Sequence, residues 1–326
     1  MQKLIKLALV VHTILSPVVA ADKVTYQLDW LPGGDYAPVY VGIQQGFFAE
    51  QDIEVSIANG RGATDALTRM AMGRADIGTV DIGALMMAKG QDDVAIKAVL
   101  PYFTQPPQAF YSLQGSGIES FNDLEGKRVA TSPFSASNVY LPLILGKSGL
   151  SEDAVNLLKA DPGALGPMMV AGNTDAVIAW VTNAPLFRAQ AATVGKQINV
   201  MPWHTQGFDL YSSSLVASER FLEQRPDVAK RFVTAFAQSI EFTYQHPDQA
   251  AAAIHAMVPE VDPAIAADQI RSITDLVYND VTQDDGFGVF NPQRVEKTWE
   301  YVATANSIDF DVLDPQTVIS SDFLSE

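Results

Sequence analysis

The sequence predicts an α/β protein of two lobes, and three observations carry that prediction. Strand-like and helix-like segments alternate along nearly the whole chain, which implies mostly parallel sheets with covering helices. The middle segment has its own βαβ pattern and is bracketed by breaks near Leu113–Gly117 and His204–Asp209. At 326 residues the chain is long enough for two cores of ordinary domain size. If it leaves one lobe at the first break and returns at the second, two connections form a hinge and a ligand binds between the lobes. The expected division is a leader over 1–20, a first lobe from 21–113 plus 210–326, and a second lobe over 114–209.

The elements follow in order. Val24–Trp30 reads as a strand that breaks at Pro32-Gly33-Gly34 before a helix from about Ala37. Asp52–Ile57 alternates as a strand and ends in Asn59-Gly60-Arg61-Gly62. Ala66, Leu67, Met70 and Ala71 then fall at helical spacing, and Gly73 stops the helix. Ala75–Val80 is the next strand, followed by Asp81 as N-cap of a helix over Ile82–Lys89. Val94–Leu100 and Gln108–Leu113 are further strands. In the middle segment Gly126–Thr131 and Ala176–Trp180 are strands, each followed by a loop and a helix, and Ile198–Trp203 is another strand. Leu210–Ala217 is a strand, and Pro226 to Tyr244 is the longest amphipathic helix, with Val228, Phe232, Ala235, Phe236 and Ser239 along one stripe. Pro263–Val277 and Gln293–Thr304 read as helices.

Composition narrows the function. A formal charge of −17 disfavours nucleic acid and anionic membranes as partners. Lys3 and Lys6, the apolar run Leu7–Leu15 and the small residues up to Ala21 describe a secretory signal peptide. The cysteine count is zero, which leaves no disulfide, no thiolate nucleophile and no lipid anchor on Cys. A freely diffusing protein of the bacterial periplasm is expected. The histidines, His12, His204, His246 and His255, have no metal-like partner at helical spacing, and no GxSxG, HExxH or EF-hand pattern occurs. No catalytic residue, metal or cofactor is therefore expected.

The candidate site residues cluster at strand ends, where open α/β sheets bind small molecules. Asp29 and Trp30 are adjacent, so both face one cleft only where the strand breaks. Asp35 and Tyr36 lie just past that break. Gly60-Arg61-Gly62 before a helix is a fragment of a nucleotide loop, with Asp65 where a third glycine would stand, so a dinucleotide site is not expected. Asp81 is an N-cap that could also face the cleft. Ser135, Ser137 and Asn138 precede a helix and form a polar cradle for a carbonyl, hydroxyl or anionic group. Trp180 and Asn183 occupy the equivalent corner of the second lobe, and Asp209 lies at the second crossover. Trp30, Tyr36 and Trp180 can stack on a flat heterocycle while Asp29 or Asp81 accepts from an amino group or protonated ring nitrogen. A sulfonate or nitrate would want positive charge, and only Arg61 is on offer.

At LDWLP, followed by APVYVGIQQGFFAEQDIEV, the pattern resembles the solute-binding proteins of ABC importers in the nitrate/sulfonate/bicarbonate and thiamine-precursor-pyrimidine group. Gly73-Arg74-Ala75-Asp76-Ile77-Gly78, Gly117-Ile118 with Asp123–Val129, Thr174-Asp175-Ala176 and Arg225-Pro226-Asp227 extend the match over essentially the whole mature chain. The resemblance implies a type II-like periplasmic-binding-protein fold with two hinge crossovers. It also implies binding without chemistry and delivery of a small solute to an inner-membrane ABC permease; a monomer is expected. The start Asp29-Trp30-x-Pro32 is more like the pyrimidine-precursor branch, although there a His commonly stands where this chain has Tyr36. Alternative solutes are a sulfonate such as taurine, nitrate, or a riboflavin-like compound. A secreted pyrimidine-metabolising enzyme of the same fold is the alternative of another class; the superfamily's pyrimidine synthase is cysteine-rich, and the lack of Cys here argues against it.

Overall fold

The structure is a computed structural model and describes residues 20–324; the expected signal peptide lies outside them except for Ala20. The first sheet contains β1 (Asp22–Gln27), β2 (Ile53–Ala58), β3 (Ile77–Asp81), β4 (Ile96–Pro101) and β10 (Ser213–Ser218), in the order β2-β1-β3-β10-β4. The second contains β5 (Gln108–Leu113), β6 (Arg128–Thr131), β7 (Asn156–Lys159), β8 (Ala176–Trp180) and β9 (Ile198–Pro202), in the order β7-β6-β8-β5-β9. The two sheets share one topology. Each has three parallel strands and then one strand, β10 or β5, that runs antiparallel to both of its neighbours.

That topology corrects the first expected boundary. Gln108–Leu113, placed with the first lobe by sequence, pairs with β8 and β9 and lies inside the second sheet. The chain crosses earlier, between Pro101 and Gln108, where Pro106 and Pro107 lack the N–H needed to extend a ladder. It returns between Pro202 and Ser213. Each crossing thus delivers its chain as the antiparallel strand of the opposite sheet.

The helices are α1 (Ala37–Gln44), α2 (Ala63–Ala71), α3 (Ile82–Asp92), α4 (Ser137–Lys147), α5 (Leu165–Ala171), α6 (Ala184–Ala192), α7 (Glu219–Gln224), α8 (Pro226–Gln245), α9 (Pro247–Met257), α10 (Pro263–Ser272), α11 (Thr274–Val277), α12 (Asp280–Asp285) and α13 (Pro292–Ala305). The stretch expected as one helix over Pro263–Val277 is divided at Ile273, and the segment that joins it to α13 contains α12, capped by Asn279. The stripe of α8 is buried, with Phe232 and Phe236 stacked near Tyr26 of β1. All five residues of β3 are buried, as suits a central strand covered on both faces. No helix among the described residues is long and apolar enough to cross a membrane.

The lobes are closed on each other. Ser132 Oγ donates to the carbonyl of Arg61 (2.9 Å), and the N–H of Thr64 donates to the carbonyl of Phe134 (3.2 Å). Gly62, at φ 148°, makes this approach possible, because a Cβ there would lie 2.2 Å from the Phe134 carbonyl oxygen. On the hinge side, Asn306 Nδ2, just beyond α13, donates to the carbonyl of Val139 in α4 (2.9 Å).

Candidate functional site

The C-terminal ends of the parallel strands of both sheets face one cleft. Because β1 ends at Gln27, Asp29 and Trp30 lie beyond the strand in a bend, and both side chains line the same cavity. Asp35 and Tyr36, in the 3-10 turn Gly34–Tyr36, complete the wall of the first lobe. Ser135, Trp180 and Asn183 form the opposite wall, and Ala63, Ala136 and Ala179 add small apolar surface to the lining. The closed lobes leave a cavity of only about 20 Å³ here, room for about one water.

Two carboxyls dominate the electrostatics. Asp29 and Asp35 are 3% and 6% exposed. Burial pushes Asp29 up to about 7, against the lowering effect of Tyr36 Oη, which donates to its Oδ1 at 2.6 Å; the charges of Asp35 and Asp81 add to the rise. Burial likewise pushes Asp35 up to about 7, although Thr182 Oγ1 donates to its Oδ2 at 3.2 Å across the cleft. Tyr102 Oη donates to the main-chain carbonyl of Asp35 at 3.1 Å and holds the turn in place. The Tyr36 hydroxyl is driven well above its ordinary range, by burial first and then by Asp29 and Asp35, so it stays a donor. No Lys, Arg or His lines this cavity among the described residues. The site can accept hydrogen bonds from, or neutralise, a flat cationic or donor-rich group between two indoles.

Sequence reasoning missed the bridge over the mouth. Gln269 of α10 accepts from the N–H of Gly34 (2.9 Å) and donates to the carbonyl of Thr182 (2.9 Å), joining the two lobes. Gln269 is 235 residues from Gly34 and belongs to no local pattern. Phe103 of the first crossover, with its ring centroid 6.1 Å from that of Trp180, was likewise not singled out.

Other expected residues are used elsewhere. Asp81 is a fully buried hub: its carboxylate accepts from the Ala84 N–H (3.1 Å), Tyr140 Oη (3.2 Å), Ser212 Oγ (2.6 Å) and Gln108 Nε2 (3.4 Å). It ties both crossovers and α4 to the start of α3, and it does not line the cavity. Burial raises its pKa while those donors lower it. Asn138 spends its side chain on Ser132 O (2.8 Å), Pro133 O (3.4 Å) and Thr131 Oγ1 (3.1 Å), so it shapes the loop. Ser137 is fully buried, with a hydroxyl that finds no partner among the described residues, and it too lies off the cavity lining. The three-residue cradle thus reduces to Ser135. The Arg61 guanidinium lies over the Phe134 ring, 5.1 Å from its centroid, and pairs with Asp65 at 3.3 Å. Asp209 is half-exposed and pairs with Arg294 and with Lys297 (2.7 Å) of α13. Burial raises its pKa, but these two cations outweigh burial and hold it below the usual value.

The profile described as "NMT1/THI5 like" matches residues 34–250. The chain is 24% identical over 310 residues to riboflavin-binding protein RibY of Chloroflexus aurantiacus, covering 93% of this chain and 86% of that one. It is 24% identical over 287 residues to the formylaminopyrimidine-binding protein of Halalkalibacterium halodurans (87% and 84%). It is also 24% identical over 241 residues to the 4-amino-5-hydroxymethyl-2-methylpyrimidine phosphate synthase of Legionella pneumophila (70% and 72%). Among solved structures, the periplasmic aliphatic sulphonate binding protein SsuA from Escherichia coli superposes with a TM-score of 0.70 at 15% identity, over 94% of each chain. The fold is the two-lobed periplasmic-binding-protein fold.

Proposed function

The chain belongs to the NMT1/THI5-like family, and from that premise we propose that it is the periplasmic solute receptor of an ABC importer for a flat, amine-bearing heterocycle. A thiamine-precursor pyrimidine is the solute that suits it best. The observation that carries this reading is the pair of buried carboxyls, Asp29 and Asp35, beside Trp30 and Trp180, in a cavity without a cation among its lining residues. An aminopyrimidine offers two aromatic faces to the indoles and donors to the carboxyls. A sulfonate or nitrate would bring negative charge to a site that already holds two acids. The sulfonate-binding neighbour supports the fold alone at its level of identity, whereas the formylaminopyrimidine- and riboflavin-binding relatives both handle flat nitrogen heterocycles by name.

The receptor reading includes a monomer, export by the leader, and an inner-membrane permease as partner. The test is a thermal-shift screen of the purified mature protein with 4-aminopyrimidines, riboflavin, taurine and nitrate, alongside native mass spectrometry for a co-purified solute. Stabilisation by a pyrimidine or flavin is the expected result. A shift with taurine or nitrate alone would overturn the choice of solute. Turnover of any bound pyrimidine would overturn the receptor reading in favour of an enzyme like the synthase relative.

A further inference from the structure

Beside the cavity described above lies a second one that shares Trp30, Asp35 and Asn183 with it and is larger, about 90 Å³. It too is built by both lobes. The first lobe contributes the bend Trp30–Gly33 and Gln269; the second contributes Leu186, Phe187 and Gln190 of α6. Two features give this chamber a chemistry. Gln190 Oε1 is buried and accepts no hydrogen bond among the described residues, which is an expensive arrangement for an amide oxygen unless a ligand group completes it. The lining also carries no Lys, Arg or His, and its single acid is the shared Asp35.

We propose that this chamber is a second subsite, and that the solute is a heterocycle carrying a neutral, hydrogen-bond-donating extension, such as an amide N–H or a hydroxylated chain. This rests on the receptor reading above and specifies its solute. The ring lies between Trp30 and Trp180; its substituent passes Asn183 and donates to Gln190 Oε1, with its carbon atoms against Leu186 and Phe187. A phosphorylated extension is excluded by charge, because the chamber offers a phosphate no cation and sets Asp35 against it. Gly166 belongs to the same device: a Cβ there would sit 1.9 Å from Gln190 Oε1, so the amide takes its place only against glycine.

The test measures dissociation constants by titration calorimetry for four probes: 4-aminopyrimidine, an N-formyl aminopyrimidine, riboflavin and riboflavin 5′-phosphate. The proteins compared are the wild type, Gln190→Leu and Gly166→Ala. The expected result is that at least one neutral extended probe binds the wild type at least 10-fold more tightly than bare 4-aminopyrimidine. Both variants should weaken that probe about 10-fold and leave 4-aminopyrimidine within 2-fold, and riboflavin 5′-phosphate should bind more weakly than riboflavin. Equal affinity for bare and extended probes, or equal weakening of both by the variants, would overturn the subsite while leaving the receptor reading standing. Failure of every flat heterocycle to bind would overturn both. Melting of each variant without ligand verifies folding, and because the two substitutions approach the same amide from different helices, either folded variant decides the question.

Discussion

The buried acids make the unliganded protein sensitive to pH in a direction opposite to that of ordinary salt-bridged carboxylates. Asp29 and Asp35 each rise from 3.8 to about 7 through burial. A group whose pKa is higher in the folded state stabilises fully below its unfolded value, near 4, and that contribution is lost as pH rises through about 7. For one carboxyl moved by this much the loss is about 4 kcal/mol. The two acids repel one another when ionised, so the first to ionise sets the scale. That loss runs from about pH 4 to about pH 7, so about 2.7 kcal/mol of it falls between pH 5 and pH 8.5; at about 2–4 °C per kcal/mol for a chain somewhat shorter than this one, the melting temperature should fall by about 5–10 °C over that window. Calorimetry of the wild type and of the double variant Asp29→Asn/Asp35→Asn separates these groups from every other titration. The variant should lose most of the slope and should melt above the wild type at pH 8.5. An unchanged slope in the variant, or a flat profile in the wild type, would refute the assignment of raised values to these two groups.

Three further outcomes follow from named contacts. Tyr36→Phe removes the 2.6 Å bond to Asp29 and leaves a buried carboxyl with one donor fewer, so chemical denaturation should show a loss of about 1–3 kcal/mol, larger at pH 8 than at pH 5. Asp81→Asn replaces one acceptor oxygen of the hub with an NH2 donor that must face other donors, Ser212 and Gln108 on one side or Ala84 and Tyr140 on the other, and should cost about 1–3 kcal/mol; the ranking of ligands in a binding screen should stay unchanged, because Asp81 does not line the cavity. Gln269→Ala cuts the bridge between Gly34 and Thr182 and should weaken closure by about 1–3 kcal/mol, read as a larger radius of gyration in X-ray scattering and as faster ligand release in stopped-flow fluorescence of Trp30 and Trp180.

What could be read from the sequence was local, and what escaped it was not. The break Pro32-Gly33-Gly34 after an Asp-Trp pair locates one wall of the cavity, and the strand-end corner at Trp180 and Asn183 locates the other, because strand ends and their loops announce themselves in a few consecutive residues. The same locality misleads at Asp81 and Asp209. Each sits at a strand end or crossover as a cleft residue would, yet their partners, Tyr140 and Ser212 for one and Arg294 and Lys297 for the other, lie between 59 and 131 residues away. Gln269 is the converse case, an amide in an ordinary helix whose role exists only once the lobes meet. The first crossover carried a readable signal in Pro106-Pro107, but the later Gly115-Ser116-Gly117 turn looks like the stronger break because glycines advertise a bend without saying whether the chain leaves its sheet.

The polar contacts between the lobes differ in kind from one side of the cleft to the other, and that difference gives closure its logic. At the hinge, Asp81 is fully enclosed and accepts four hydrogen bonds, so that end is pinned. At the mouth, the contacts from Thr182 reach a carboxyl held near 7 and a neutral glutamine, so that end parts at modest cost. Opening hydrates Asp29 and Asp35 and lets them ionise; closing then requires either a proton or a positive charge to return with them. On the proposed function, a protonated aminoheterocycle would supply that charge and give the indoles of Trp30 and Trp180 a flat surface to cover, whereas an anion would add to the repulsion. Selection by charge and selection by shape would then act at the same step, the closing of the mouth.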